Sequence, residues 1–206
     1  MVIKRLRLNI DVPDDDFDEL LPAKYETISK KHWTSVRAAK LASDFLVEKF
    51  GTRVLDIGSG VGKFCLVGAL TTNGFFTGVE QRKELVTVAR RLSTDYLVGN
   101  VRFIHDNITS IRFADFDSFY FYNSFYENIE WENRIDDAVN LDIKLYHHYS
   151  TYVAGQLASM PPGSRLVTNC GSSCIVPKSY RLVDSTYHGK LDFWEKIATD
   201  QDPVSY

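Results

Sequence analysis

Two hydrophobic patterns alternate along this chain: short continuous apolar runs, and longer runs in which apolar residues recur at helical spacing. From Thr34 to Lys49 apolar residues recur every three or four positions, and Gly51 follows as a C-terminal cap would. The run Arg53–Ile57 is short and apolar, as in a buried strand, and it enters a glycine-rich turn. Residues Lys63–Leu70 beyond that turn have the composition of a buried helix. The pattern therefore predicts helix, strand and helix in succession.

The same alternation continues as far as residue 169. Strands are predicted at Gly74–Glu80, Val101–Ile104, Ser118–Tyr122 and Arg165–Asn169, and helices at Lys83–Leu97 and Leu141–Met160. The continuous aromatic run at Ser118–Tyr122 favours a strand that is covered on both faces. Strand–helix alternation with short connections implies right-handed crossovers, which produce a mainly parallel sheet with helices on both sides.

The end of the chain departs from that alternation. Tyr180–Tyr187 and Leu191–Ile197 both have strand composition, and only three residues separate them, so no helix fits between them. They are predicted to form an antiparallel hairpin at one sheet edge. The fold class is therefore α/β: a three-layer α/β/α sandwich with a seven-stranded, mainly parallel sheet and a C-terminal antiparallel hairpin. We expect one domain at residues 34–206, preceded by an N-terminal extension of residues 1–33.

Composition narrows the classes of partner. Hydrophobic residues make up 44% and charged residues 25% of the chain, and a net charge of −3 provides no basic field for nucleic acid or an anionic membrane. The N-terminus lacks a hydrophobic signal core, and no run approaches the roughly 20 apolar residues of a membrane span. Three cysteines form no disulfide framework, and Cys170 and Cys174 lack a partner pair at zinc-ligand spacing. We expect a cytoplasmic protein without a metal site.

Two N-terminal features have ordinary structural interpretations. The acidic run Asp14–Asp16 is typical of a helix start or a solvated segment, and a metal site is disfavoured because ligands from so short a run seldom converge. Thr34 or Ser35 is a candidate N-cap for the first long helix.

The turn that follows Arg53–Ile57 is the most informative segment. It reads Asp56-Ile-Gly58-Ser59-Gly60-Val-Gly62. Glycines at alternate positions between a strand and a helix let the backbone turn tightly and expose its amides to a ligand. Such a turn lies at the C-terminal edge of the sheet, where open α/β sheets bind their ligands. A tight strand-to-helix turn without a ligand explains the glycines equally well, but it does not explain Asp56.

Polar residues follow the next two strands at matching positions. Glu80 ends the second strand, where a carboxylate can accept hydrogen bonds from both ribose hydroxyls of an adenosine. Asp106 and Asn107 follow the third strand and can accept from the exocyclic amine of adenine. A solvated carboxylate and ordinary turn residues are the respective structural alternatives. The register of these residues behind the glycine turn favours the ligand interpretation.

These motifs resemble a known family. Asp56-Ile-Gly-Ser-Gly-Val-Gly62 is similar to the first motif of class I (seven-strand) S-adenosylmethionine methyltransferases, and Gly78-Val79-Glu80 is similar to their second. The spacing differs from the G-x-G-x-x-G fingerprint of nicotinamide and flavin enzymes. The resemblance covers about residues 34–197, including the terminal hairpin.

The resemblance implies S-adenosyl-L-methionine as cofactor. It implies that Asp56 and the loop amides hold the methionine end and that Glu80, with Gln81 beside it, holds the ribose. It further implies that Asp106 and Asn107 hold the adenine. The loop positions concerned are Gly58, Ser59, Gly60 and Gly62.

In this family the methyl group faces the end of the fourth strand, which here reads Tyr122-Asn123-Ser124-Phe125-Tyr126. The Asp/Asn-Pro-Pro-Tyr pattern of enzymes that methylate nucleic-acid bases is absent, so nucleic acid is disfavoured as acceptor. The segment is more similar to the Asn-Asn-Phe loop of the seven-strand histone-lysine methyltransferases. Ser124 replaces the second Asn of that loop, and only about fifty residues precede the first strand. The likeness is to the cofactor core, so a histone acceptor does not follow from it.

Asn123 and Tyr126 are the candidate catalytic residues. Asn123 is expected to contact the methionine amine or to orient the nucleophile, while Phe125 and Tyr126 would form the wall of a channel that excludes water. Phe119 and Phe121 are expected in the core instead. Glu127, Tyr126, His32 and His105 are the candidate bases, none of them preferred, and each also has a structural interpretation.

Three functions from different classes remain open. The first is methyl transfer to a protein side chain or a small metabolite. The second is a catalytically inactive sensor or partner subunit that binds S-adenosylmethionine, and the third is an NAD-dependent oxidoreductase. Trp33 is a further hypothesis, as a lid over the cofactor, although a buried or partner-facing tryptophan is commoner. The sequence leaves the acceptor and the oligomeric state open.

Overall fold

The strands in the described part of the chain all belong to one mixed sheet. A computed structural model describes residues 1–170 and 174–198. The strands are β1 (Arg53–Ile57), β2 (Phe75–Glu80), β3 (Val101–His105), β4 (Ser118–Tyr122), β5 (Arg165–Asn169), β6 (Tyr180–Thr186) and β7 (Leu191–Lys196). They are ordered β3-β2-β1-β4-β5-β7-β6.

The sheet topology agrees with the predicted fold class. The strands from β1 to β5 pair in parallel, whereas β7 runs antiparallel to both β5 and β6. The carboxyl ends of β1, β2, β3 and β4 therefore meet at one edge of the sheet, on either side of the point where the strand order reverses. The predicted seven-stranded sheet with a C-terminal antiparallel hairpin is confirmed.

Seven helices accompany these strands in the described part of the chain. They are α1 (Val2–Arg7), α2 (Asp14–Asp18), α3 (Glu26–His32), α4 (Val36–Leu46), α5 (Lys63–Thr71), α6 (Lys83–Asp95) and α7 (Ile143–Ala158). Within residues 1–170 and 174–198, no helix combines the length and the apolar character that crossing a bilayer requires.

The central elements are buried on all sides. Every residue from Lys63 to Leu70 in α5 is buried, and the aromatic strand β4 is buried from Ser118 to Phe121. The Phe64 ring stacks on the Tyr120 ring with centroids 3.8 Å apart, so helix and strand are joined by an aromatic contact. The prediction that β4 is covered on both faces is confirmed, and Phe119 and Phe121 lie in the core as expected.

Helix α4 is shorter than the predicted 34–49. Ser35 is its N-cap, since the Ser35 hydroxyl accepts from the Ala38 amide (3.2 Å). The helix ends at Leu46 because a separate turn follows, in which Thr52 Oγ1 accepts from the Lys49 amide (3.2 Å). Gly51 (φ 78°) lies in that turn and donates to the Asn73 carbonyl, so its assignment as the helix cap was wrong.

Residues 1–33 pack against the rest of the protein. Leu6 and Phe17 belong to the same hydrophobic cluster as Phe64 and Val67 of α5. The acidic run begins α2, as predicted from its composition.

A buried lysine connects this N-terminal segment to the glycine turn. Lys63 is the first residue of α5, and its Nζ lies 2.7 Å from Asp14 Oδ1 and 2.8 Å from Asp18 Oδ1. The side chains of Lys63 and Asp18 are 2% and 5% exposed. A positive charge at a helix N-terminus is disfavoured by the helix dipole, and a buried positive charge is costly without a partner. The two aspartates offset both costs because their negative charges neutralise the Lys63 ammonium.

We predict that Asp18→Ala lowers the free energy of unfolding by about 3 kcal/mol, because it removes one partner of a buried ion pair. The loss stays at the low end of the range for such pairs because Asp14 still contacts Lys63. Urea denaturation followed by circular dichroism measures the change. Asp15→Ala is the matched control, since Asp15 pairs with Lys30 on the surface (3.0 Å) and its loss should leave stability unchanged. Equal effects of the two substitutions would contradict the importance of the buried pair.

Candidate functional site

A cavity of about 310 Å³ opens at the carboxyl edge of the sheet. The turns after β1, β2, β3 and β4 and the end of α3 form its walls. The side chains and glycines that line it include Trp33, Gly58, Gly60, Glu80, Gln81, Asp106, Asn107, Tyr122, Asn123, Phe125, Tyr126 and Tyr149. Most of the predicted site residues therefore converge on one cleft.

The turn after β1 needs its three glycines. Gly58, Gly60 and Gly62 have φ values of 78°, 54° and 80°, a backbone region that is costly for other residues. A Cβ atom would also lie 2.5 Å from Ser124 at Gly58, 2.6 Å from the Trp33 indole nitrogen at Gly60, and 2.4 Å from the Phe103 ring at Gly62. Gly62 thus packs against β3 and does not line the cleft.

The amides of this turn differ from the expectation. The Gly58 and Ser59 amides donate to the Val79 carbonyl (3.0 and 2.9 Å), and the Gly62 amide donates to the Ser59 carbonyl (2.8 Å). The Gly60 amide donates to Glu80 Oε2 (3.1 Å). The prediction that the turn exposes its amides is therefore corrected at these four positions. Three of these hydrogen bonds hold the turn against the end of β2, and the fourth, from Gly62, closes the turn on itself.

Glu80 lies on the floor of the cleft between the glycine turn and α6. Its Oε1 accepts from the Arg82 amide (2.8 Å), and its Oε2 accepts from the Gly60 amide. Burial raises the pKa of this carboxyl group, and the two amides and the Arg82 guanidinium oppose that shift. A carboxylate held by two backbone amides at a cleft floor is a preorganised hydrogen-bond acceptor for a ligand.

Asp56 lies deeper, under the turn, beside a second cavity of about 20 Å³. The Cys65 thiol donates to Asp56 Oδ2 (3.3 Å). Burial and the nearby Glu80 raise the pKa of Asp56 to about 7, and the thiol hydrogen bond opposes them. In the described part of the chain, no cation is among the groups that shift the pKa of Asp56. A positively charged ligand group beside this carboxylate would therefore be stabilised by it.

The two residues after β3, Asp106 and Asn107, both line the cleft. They differ in their hydrogen bonds, since among the described residues the Asp106 side chain bonds only to the adjacent one. Its Oδ1 accepts from the Asn107 amide (2.7 Å). Asn107 is occupied by structural contacts, since Oδ1 accepts from Thr109 and Nδ2 donates to the Tyr149 hydroxyl (2.9 Å). Asp106 is therefore the better placed of the two to contact a ligand.

The segment after β4 covers the cleft. Asn123 adopts a left-handed backbone conformation (φ 42°) and lines the cavity. The Ser124 hydroxyl donates to the Ile57 carbonyl, which fixes this segment to the glycine turn. Phe125 is buried against Phe121, with ring centroids 5.1 Å apart, while Tyr126 is half exposed at the rim.

A buried ionic network was missed by sequence reasoning. Arg82, whose side chain is 4% exposed, donates to Glu127 Oε2 (2.7 Å) and to Asp136 Oδ1 (2.8 Å). The Ile135 amide also donates to Glu127 Oε2 (3.0 Å). The network holds the segment after β4 against the end of β2. No local sequence signal pointed to it, because Arg82 is 45 residues from Glu127 and 54 from Asp136 in the chain.

The four candidate bases have different environments. Glu127 is paired with Arg82, and His105 is exposed and contacts the Gln81 carbonyl (3.1 Å) outside the cavity lining. Tyr126 is hydrogen-bonded to Glu130, which raises its pKa. His32 lines the cleft, and burial lowers its pKa, so its imidazole is neutral at pH 7.

The comparisons with known proteins agree with this geometry. Residues 48–136 match a family model described as a methyltransferase domain. This range contains the glycine turn, Glu80 and the segment after β4. No curated protein sequence matches the chain.

Three solved structures illustrate the structural likeness. An RNA methyltransferase from Salinibacter ruber, in complex with S-adenosyl-L-homocysteine, is 17% identical, with 82% of this chain and 94% of that chain covered and a TM-score of 0.54. An S-adenosylmethionine-dependent O-methyltransferase from Thermotoga maritima is 16% identical over 88% of this chain and 74% of its own, with a TM-score of 0.55. TrmN from Thermus thermophilus is 18% identical, with 80% of this chain and 49% of that chain covered and a TM-score of 0.58.

These likenesses establish the fold. The chain spans about half the length of several structures that it matches, such as 49% of TrmN and 44% of the [4+2]-cyclase SpnF.

Asp56 gives a testable pH dependence. Its pKa is 3.8 without burial and about 7 in the folded protein, so the stabilisation from its protonated form is complete below pH 4 and is lost as the pH rises through 7. This difference corresponds to about 4 kcal/mol. We expect Asp56→Asn to gain stability relative to the wild type between pH 4 and pH 8, measured by urea denaturation. Parallel stability profiles of the two proteins would contradict a buried, proton-binding Asp56.

Proposed function

We propose that this chain, which has the class I methyltransferase fold and matches a methyltransferase-domain model over residues 48–136, binds S-adenosyl-L-methionine in the cleft and transfers its methyl group. The acceptor would be a protein side chain or a small metabolite. The observation that carries the proposal is Glu80. This carboxylate lies on the floor of the cleft between the glycine turn and Asp106, where an adenosine would present its ribose hydroxyls.

The residues of the cleft fit the chemical groups of this cofactor. The Glu80 carboxylate would accept from the ribose, and Asp106 would accept from the adenine amine. Asp56, in the smaller cavity that adjoins the cleft, would receive the methionine ammonium, whose positive charge compensates the buried carboxylate. Gln81, Asn107 and Asn123 also line the cleft, as expected of cofactor contacts.

The bound cofactor would supply a methyl group that is already activated by its sulfonium. The protein then has to align the acceptor and exclude water. Asn123 and Tyr126 would orient an acceptor whose lone pair forms the new bond to the methyl carbon while the carbon–sulfur bond breaks. The neutral imidazole of His32 would take the proton that the acceptor releases.

Two other functions compete with this proposal. A sensor or partner subunit would bind the cofactor without transfer, and the fold permits other chemistry, since the matching structure of SpnF is a [4+2]-cyclase. An NAD-dependent oxidoreductase would bind a dinucleotide instead. Binding and transfer have to be measured separately to distinguish these functions.

Calorimetry tests the binding step. We expect S-adenosylmethionine and S-adenosylhomocysteine to bind the wild type with Kd values below tens of micromolar, and NAD not to bind. Glu80→Gln should weaken S-adenosylhomocysteine at least about tenfold, because a charge-assisted hydrogen bond is worth about 1.5–3 kcal/mol. Glu84→Gln is the control, since Glu84 is exposed and pairs with Lys24. Equal affinity of the Glu80→Gln and Glu84→Gln variants would refute the ribose role.

Tritiated-methyl transfer into a fractionated cell lysate tests the catalytic step. We expect label in the protein or small-metabolite fraction, and less label with the Asn123→Ala variant. Label in nucleic acid would contradict the proposed acceptor class. Tight cofactor binding without any transfer would favour the sensor or partner subunit.

A further inference from the structure

The N-terminal segment contributes a tryptophan to the glycine turn. The Trp33 residue follows α3 in extended conformation (φ −121°, ψ 148°), and its amide donates to the Ser29 carbonyl (3.1 Å). The Tyr25 ring packs edge-on against the indole, with centroids 5.7 Å apart. The indole nitrogen also packs against Gly60, since it would lie 2.6 Å from a Cβ atom built at that glycine. The indole edge therefore faces the turn in a fixed orientation.

The indole N–H of Trp33 has no hydrogen-bond partner. The residue is 8% exposed, and its Nε1 is fully buried. The other two tryptophans differ, because Trp131 donates to the Asn128 carbonyl (3.3 Å) and Trp194 donates to the Thr168 hydroxyl (3.0 Å). A buried donor without an acceptor is costly, so this one points to a group that binds there.

The neighbourhood of this donor identifies the group. The cavity of about 20 Å³ beneath the turn is lined by Trp33, Ser59, Asp56 and Lys63, and it shares Gly58 with the main cleft. The Ser59 hydroxyl is also buried without a partner. An indole N–H only donates, so its partner must be an acceptor, whereas Asp56 in the same cavity suits a cation. Hydrogen-bond donors and a carboxylate around one small cavity, which adjoins the main cleft at Trp33 and Gly58, match the charged end of a zwitterionic amino acid.

We propose that Trp33 is a cofactor-binding residue whose indole N–H donates to the carboxylate of the methionine end, with the Ser59 hydroxyl as a second donor. This inference rests on the proposed function, since it assumes that the cleft takes S-adenosylmethionine. The amides of Gly58, Ser59, Gly60 and Gly62 do not serve this carboxylate, because they already donate within the protein. Residues 1–33 then complete the cofactor site.

Calorimetry with two ligands that differ only in the carboxylate tests the proposal. S-adenosylhomocysteine should bind the Trp33→Phe variant about tenfold more weakly than the wild type, as expected for a lost hydrogen bond to a charged group. Decarboxylated S-adenosylhomocysteine should bind both proteins equally. Trp131→Phe is the control, because Trp131 is exposed and its indole already has a partner. The same loss of affinity for both ligands, or for neither, would overturn the proposal.

A second measurement uses the unaltered protein, so it does not depend on the folding of a variant. In protein labelled with ¹⁵N-tryptophan, the Trp33 indole resonance should move downfield with S-adenosylhomocysteine and much less with the decarboxylated ligand. An identical response to both ligands would overturn the role of Trp33 alone. Failure of the wild type to bind either ligand would instead refute the proposed function.

Discussion

The whole site depends on the reversal of the backbone between β1 and α5, which takes place within five residues. Three positive φ values are needed there, and each glycine is enclosed by a side chain from a different element: Ser124, Trp33 and Phe103. The Gly58, Ser59 and Gly60 amides of the turn then donate to the end of β2, which holds the turn against that strand. That contact fixes the glycine turn, which is one wall of the cleft, beside Glu80.

This arrangement places two carboxyl groups where burial makes charge costly. Asp56 and Glu80 both have raised pKa values because they lie beneath the turn or on the cleft floor. Such groups reduce the stability of the folded protein and at the same time serve as strong acceptors for a ligand, a combination expected at functional sites. Lys63 differs from these two carboxyl groups, because its buried charge is neutralised within the protein by Asp14 and Asp18.

Local patterns predicted the features that depend on neighbouring residues in the chain. The succession of strands and helices, the terminal hairpin, a helix cap at Thr34 or Ser35 and the glycine turn follow from periodicity and turn chemistry, and the structure has them, with Ser35 as the cap. The assignment of Gly51 failed because a competing turn ends α4 first. The pairing of Arg82 with Glu127 and Asp136 joins distant segments, and periodicity carries no information on such contacts. The unpartnered indole N–H of Trp33 was equally invisible, because it depends on how the residue after α3 packs against Gly60 of the glycine turn.

The central claim is that the cleft at the carboxyl edge of the sheet binds S-adenosylmethionine through Glu80. A crystal structure of the protein grown with S-adenosylhomocysteine tests it most directly. The account predicts the ribose hydroxyls within hydrogen-bond distance of the Glu80 carboxylate and the methionine end beneath Trp33. Electron density for the ligand at any other place on the protein, or with its ribose turned away from Glu80, would contradict it.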